Sequence, residues 1–241
     1  MSTSFDLSKP NRPIHVGVIL VDSLSSNPFL QQAFRITELL DIAVVDLLSG
    51  LDKSIAATFP DALMPPHVKA HALDVETHWV NQSGKTARLS GNISLQPTND
   101  FTNCPPLDIV IMGANELGYK PSEAELEFVR RSYETCSAFI TVCGGFEVPF
   151  AAGLFDGKTV TCPRPFLQNM RQAGPQTTWV EERWHRDGKL WTSGAVLNGL
   201  DLIRAFATEY WGGEGSLVEF FIGLGHFPKR DLNYADAEFA L

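Results

Sequence analysis

The residues best suited to chemistry are Cys143, Gly144 and Gly145. They follow Ser137 to Val142, an apolar, β-branched run with the pattern of a strand buried on both faces. They precede Phe146 to Leu154, which reads as a short helix stopped by Asp156 and Gly157. A cysteine at a strand-to-helix turn, with two glycines behind it, has the layout of a nucleophile elbow. The tight turn needs residues without a Cβ close behind the nucleophile, and a helix N-terminus favours a thiolate over a thiol. The competing reading is an inert, buried thiol, because free cysteine is among the most buried residue types.

Fewer claims attach to the other reactive side chains. Cys104 sits beside two prolines in a loop, Cys136 ends a helix and Cys162 lies on a strand, so all three read as structural, with Cys162 placed to border a pocket. No pair of cysteines is spaced C-x-x-C and no histidine pair has zinc-ligand spacing near them, so no metal site is expected. Asp41 is flanked by Leu39, Leu40 and Ile42, and a carboxylate inside an apolar run needs a partner. Glu147 falls in the first turn of the elbow helix, where the helix dipole accounts for it. His15 starts a strand and His185 precedes a hairpin turn, and both read as structural.

Whole-chain properties exclude several function classes. A net charge of -9 and a pI near 5.1, with no dense Lys/Arg run, argue against nucleic-acid binding. No stretch approaches the roughly 18 apolar residues of a membrane span. The first 13 residues are polar and lack a signal-peptide core, so a cytoplasmic protein with free thiols is expected.

The elements that must position these residues alternate. Ile14 to Asp22 reads as a first central strand, and much of Ala33 to Leu48 as a helix. Within Val68 to Val80 lies a strand that Asn81 to Gly84 would turn into a hairpin with Thr86 to Ile93. Leu107 to Met112 is a buried strand, and Ser122 caps a helix over Glu123 to Tyr133 with Leu126, Val129 and Tyr133 on its apolar face. Thr159 to Cys162 is a strand, Phe166 to Gly174 a helix, and Trp179 to Arg183 with Leu190 to Ser193 flank a hairpin turn at Asp187 and Gly188. Asn198 to Asp201 opens a helix running to Tyr210. The alternation predicts an α/β fold with a mostly parallel sheet covered on both faces and added β-hairpins. The expected organisation is a flexible leader over residues 1–13, one domain over 14–211 and an extension over 212–241.

Three segments, Leu39 to Leu48, Phe101 to Gly113, and Ile140 to Gly145 with Ala151 to Lys158, together resemble the DJ-1/PfpI superfamily, and specifically its isonitrile hydratase-like branch. Arg186 to Ala195 followed by Asn198 to Asp201 fits the same branch, in the same order. The resemblance implies a flavodoxin-like three-layer sandwich, dimeric, with Cys143 as nucleophile and Asp41 as the acid beside its sulfur. It also places anion-binding groups at Gly113, Ala114 and Asn115 and at Gly144. The sequence departs from the pattern at Pro163, where many members carry a histidine, at Gly144, where a threonine is common, and in roughly ten extra residues between Ser23 and Arg35.

The resulting expectation is a cofactor-free, cysteine-dependent enzyme acting on a small organic molecule as a homodimer, without nucleic-acid or membrane partners. Hydration of an isonitrile is the specific reaction the resemblance implies. Glyoxalase-like conversion of a reactive carbonyl, or redox sensing through Cys143, would use the same parts.

Overall fold

Seven strands form one twisted sheet that carries the site at one end. The computed structural model describes residues 5–21, 36–116 and 118–237. The sheet strands are β1 (Ile14–Ile19), β2 (Val75–Asn81), β3 (Asn99–Asp100), β4 (Ile109–Met112), β5 (Ala138–Thr141), β6 (Trp184–Asp187) and β7 (Leu190–Ser193). Their spatial order is β6-β7-β5-β4-β1-β2-β3, and every neighbouring pair is parallel except β6 with β7. The apolar runs noted in the sequence are therefore strands with helices on both faces, which is why they show no polar alternation.

The two faces bury separate cores, divided by the period of two along each strand. Val16, Val18, Ile109, Ile111 and Ile140 meet Val45 and Leu48 of helix Val45–Gly50, Leu202, Ile203 and Phe206 of helix Asn198–Trp211, and Leu217 and Val218 of helix Leu217–Leu224. Ile19, Val110, Met112 and Phe139 meet Phe128 and Val129 of helix Glu123–Thr135, and Val148 and Leu167 beyond the elbow. The predicted cap at Ser122 is part of a capping box with Glu125, which satisfies two otherwise unpaired helix N–H groups. The arrangement is the expected three-layer α/β sandwich.

Several local expectations are corrected. The hairpin across Asn81 to Gly84 does not form, because β2 already has β1 on one edge and β3 on the other. The returning strand, Ala87–Leu89, pairs instead with Ile36–Thr37 and Ile93–Leu95 in a separate small sheet. The second hairpin forms with a shifted arm. A tight turn that pairs Asp187 with Leu190 requires its first strand to begin at Trp184, and Trp179 pairs with Val160 elsewhere. Within the expected helix from Ala33 to Leu48, the described residues form Ile36–Thr37 and two short helices, Leu39–Ile42 and Val45–Gly50. The expected insertion at Ser23 to Arg35 lies outside the described residues.

Both chain ends are fastened from where description begins. In the leader, Leu7 is buried and its carbonyl accepts from the Trp211 indole at 2.6 Å, while Arg12 pairs with both oxygens of Asp108 at 2.7 Å. Within the extension after residue 211, Ser216 caps the helix Leu217–Leu224, which buries Leu217 and Val218.

Candidate active site

Cys143 lies just past the C-terminal end of β5, in a 3-10 turn over Cys143–Phe146 that feeds the helix Glu147–Ala151. Its φ is +54°, a left-handed conformation that costs an L-residue on the order of 1–3 kcal/mol and persists only where the surroundings enforce it. Here the Cys143 amide donates to Gly194 at 3.0 Å, Gly145 donates back to Val142 at 2.9 Å, and Phe146 packs edge-on against Trp179 at 5.8 Å. The glycine at 145 has a steric reason: a Cβ there would lie 2.2 Å from the Met112 carbonyl oxygen. These contacts are the elbow that the sequence predicts.

Asp41 reaches the same spot from the helix Leu39–Ile42. It is fully buried, one oxygen accepts the Ala114 amide at 2.9 Å, and the other has no hydrogen-bond partner of ordinary geometry. Glu38, one turn earlier, completes a cluster in which the two carboxylates and the Cys143 sulfur lie within 4.8 Å of one another. A Cβ on Gly113 would lie 2.9 Å from Asp41 Cβ, so the glycine lets the acid approach the turn.

The electrostatics of this cluster differ from the expectation of a helix-activated thiolate. Burial pushes Asp41 up to about 7; the Ala114 hydrogen bond opposes this, the Glu38 charge adds to it, and the Cys143 thiol lowers it. Burial pushes the Cys143 thiol up to about 12, and the Asp41 charge adds to that rise. Amides of Val196 and Gly144 face the sulfur and pull the other way, but they do not offset desolvation. Burial thus favours the protonated form of both groups.

Most of the sequence-predicted groups converge, with one reassignment. The Ala114 amide, expected to face a substrate anion, instead donates to Asp41 and holds the acid in place. The Gly144 amide faces the sulfur, and the side-chain nitrogen of Asn115, the residue after Ala114, is buried without a hydrogen-bond partner. Sequence reasoning missed Glu38 and the Val196 amide. Glu38 carried a signal in its i, i+3 spacing to Asp41; Val196 had none, because a backbone N–H is independent of residue type.

At Pro163 no imidazole is available, and no histidine belongs to the cluster among the described residues. The neighbouring wall is built by the C-terminal segment. Tyr234 donates to Asn198 at 2.8 Å and lies under the guanidinium groups of Arg164 and Arg183, at 4.8 and 4.5 Å. No helix among the described residues is long and apolar enough to cross a membrane.

Comparison with known proteins agrees with this architecture. The chain is 31% identical over 179 residues to the isonitrile hydratase of Pseudomonas putida, covering 73% of this chain and 78% of that one. It superposes on a THiJ/PfpI family protein from Pseudomonas syringae with a TM-score of 0.67 at 16% identity, over 93% of this chain and 79% of that one. An AraC family transcriptional regulator from Pseudomonas putida gives 0.64 at 12% identity, over 88% and 99%. The sequence model of the DJ-1/PfpI family matches residues 62–209, more than half the chain, and this protein belongs to that family.

Proposed function

We propose that this protein is a cysteine-dependent hydratase of small isonitriles, with Cys143 as nucleophile and Asp41 as the group that moves protons. The observation that carries the reading is the placement of Asp41: buried, held through one oxygen by the Ala114 amide, with its other oxygen taken up by no amide or hydroxyl and the Cys143 sulfur beside it. Such a pair is poised for an electrophile that needs a nucleophile and a proton at one carbon. An isonitrile is of that kind.

The steps balance without a cofactor. The thiol adds across the terminal carbon: the S–H bond breaks, an S–C bond forms, and Asp41 relays the proton to that carbon, giving a thioimidate. Water then attacks the same carbon, the C–S bond breaks, nitrogen and sulfur each take a proton, and an N-substituted formamide leaves with the thiol restored. Moving the proton from sulfur to Asp41 before attack is uphill, because the buried thiol remains the weaker acid of the two. The Gly144 and Val196 amides would stabilise sulfur as charge builds on it, and Gly113 and Asn115 would be the groups that meet the substrate. Leu39 and Leu40, before Asp41, and Leu197, after Val196, are exposed and suit an apolar substituent on the isonitrile. A homodimer located in the cytoplasm completes the proposal.

A redox-sensing role draws less support, because peroxide reacts with thiolates, burial raises the pKa of this thiol, and no second acid would be needed beside it. The test is incubation with a small aliphatic isonitrile, following the formamide proton by NMR. Turnover by the native chain, reduced at least about a thousandfold by Cys143→Ala, is expected. Formamide production that survives Cys143→Ala overturns covalent catalysis. Conversion of glyoxal but not of isonitriles would replace the hydratase reading with the carbonyl one.

A further inference from the structure

At the opposite end of the sheet, three side chains converge that the elbow does not use. His15 is the second residue of β1 and lies opposite Glu76 on β2, while His78 follows Glu76 by two residues. The period of two therefore places Glu76 and His78 on one face, and His15 meets them there. His15 Nδ1 is 2.9 Å from His78 Nε2 and 3.4 Å from a Glu76 carboxylate oxygen, and the three ligand atoms lie within 4.8 Å of one another. We propose that His15, Glu76 and His78 form a binding site for one divalent transition-metal cation of zinc-like softness, with positions left open to water.

The hydrogen-bond inventory favours a cation over a hydrogen-bonded pair. His78 Nδ1 lies 3.0 Å from Asn99 Oδ1. The Asn99 amide is oriented by its own contacts: its nitrogen donates to the Asn103 side chain at 3.2 Å, and its oxygen accepts from the Thr98 hydroxyl at 2.9 Å. That oxygen can only accept, so His78 Nδ1 carries the hydrogen and Nε2 presents its lone pair to His15. His15 Nδ1 has at most one hydrogen to offer, yet faces both that lone pair and a carboxylate. One ion bonded to all three satisfies the set.

The geometry and support also fit. Ligands about 2.05 Å from a zinc-like ion lie about 2.9 Å apart at a right angle and about 3.4 Å apart at the tetrahedral angle. The contacts at 2.9 and 3.4 Å fall at these values. The outer layer is in place as well. Asn99 orients His78, and Asp108 holds the backbone of His15 from both sides, accepting its N–H at 2.9 Å and donating to its carbonyl at 2.8 Å. Leu107 packs over Gly17, giving this face an apolar wall, while the Glu76 side chain is 52% exposed and keeps the site open to entering ions. Two histidines and one carboxylate are a borderline donor set, suited to zinc, cobalt or nickel rather than calcium or magnesium. The sequence hides the set because His15 and His78 come from strands far apart in the chain.

The test uses the full-length chain stripped by chelator and titrated with cobalt(II) and zinc(II), following cobalt absorption and calorimetry. The expected result is one ion per chain with a Kd on the order of micromolar. Because Cys143, Asp41 and Glu38 could also hold a soft ion, the titration is repeated on Cys143→Ala, which should bind unchanged. His78→Ala should weaken binding at least about a hundredfold, the half-exposed Glu76→Gln about tenfold with folding preserved, and Asn99→Ala about tenfold through loss of ring orientation. Absence of saturable binding below 100-fold the expected Kd overturns the proposal. So does binding that survives both His78→Ala and Glu76→Gln, or that disappears in Cys143→Ala.

Discussion

Asp41 and Asp201 are both buried aspartates on helices that pack beside the elbow, and they are satisfied very differently. Asp201 is paired with Arg230 through two guanidinium nitrogens, and it also accepts the Arg230 backbone amide at 3.3 Å. Arg230 in turn reaches the Leu197 carbonyl at 2.8 Å, so the pair ties the C-terminal segment to the start of helix Asn198–Trp211. Asp41 has one amide and an oxygen with no partner. A buried acid with a counter-ion and a full set of donors holds structure. One left incomplete beside a thiol is, on the function proposed above, the group that moves protons.

The largest effect should come from breaking the satisfied one. Asp201→Ala leaves Arg230 without its counter-ion and should lower stability by roughly 3–5 kcal/mol, read as a drop in urea midpoint. A loss under about 1 kcal/mol would remove the structural half of the comparison. Asp41→Asn should act in the opposite direction. Its folded pKa, about 7, is raised above the 3.8 of the free side chain. The folded state therefore keeps a proton that the unfolded state has released between pH 4 and 7. Stability is greatest below that window and falls as pH rises through it. Asparagine carries no charge and keeps an oxygen for the Ala114 amide. The variant should therefore be roughly 2–4 kcal/mol more stable than the native chain at pH 8, with little difference near pH 4. Equal pH profiles for the two proteins would mean that Asp41 is not the strained acid.

Cys143 gives a smaller effect. With its thiol near 12, iodoacetamide should alkylate it at pH 8 at least about tenfold more slowly than free cysteine. Asp41→Asn should speed that reaction by removing a neighbouring charge. Rapid alkylation in the native chain would restore the helix-activated thiolate that the sequence predicted.

How much was legible in advance follows from the range of each signal. The elbow could be read because its parts are adjacent: a β-branched run, a cysteine, two glycines and a short helix. Asp41 was readable as a charge out of place among leucines. The mispaired hairpin at Asn81 was not, since partner choice depended on β1 and β3 having already taken both edges of β2. The direction of the Cys143 pKa was missed for a related reason. The helix dipole can be inferred locally, but desolvation depends on what the whole fold packs over the sulfur. His15 was read without His78 because the two are 63 residues apart in the chain.

The smallest effect is the most discriminating. The Glu38 charge raises both Asp41 and Cys143, yet its backbone N–H, which donates to the Ala114 carbonyl at 2.9 Å, is untouched by a side-chain change. Glu38→Gln therefore alters the field at the elbow while leaving the turn in place. Because it is only partly buried, solvent screens much of its charge. The expected result is a two- to fivefold faster alkylation of Cys143 at pH 8, and a pH–stability profile displaced to lower pH by less than about one unit. If Glu38→Gln instead flattened that profile as fully as Asp41→Asn, the titrating acid would be Glu38. The oxygen without a partner on Asp41 would then have to be explained by folding alone.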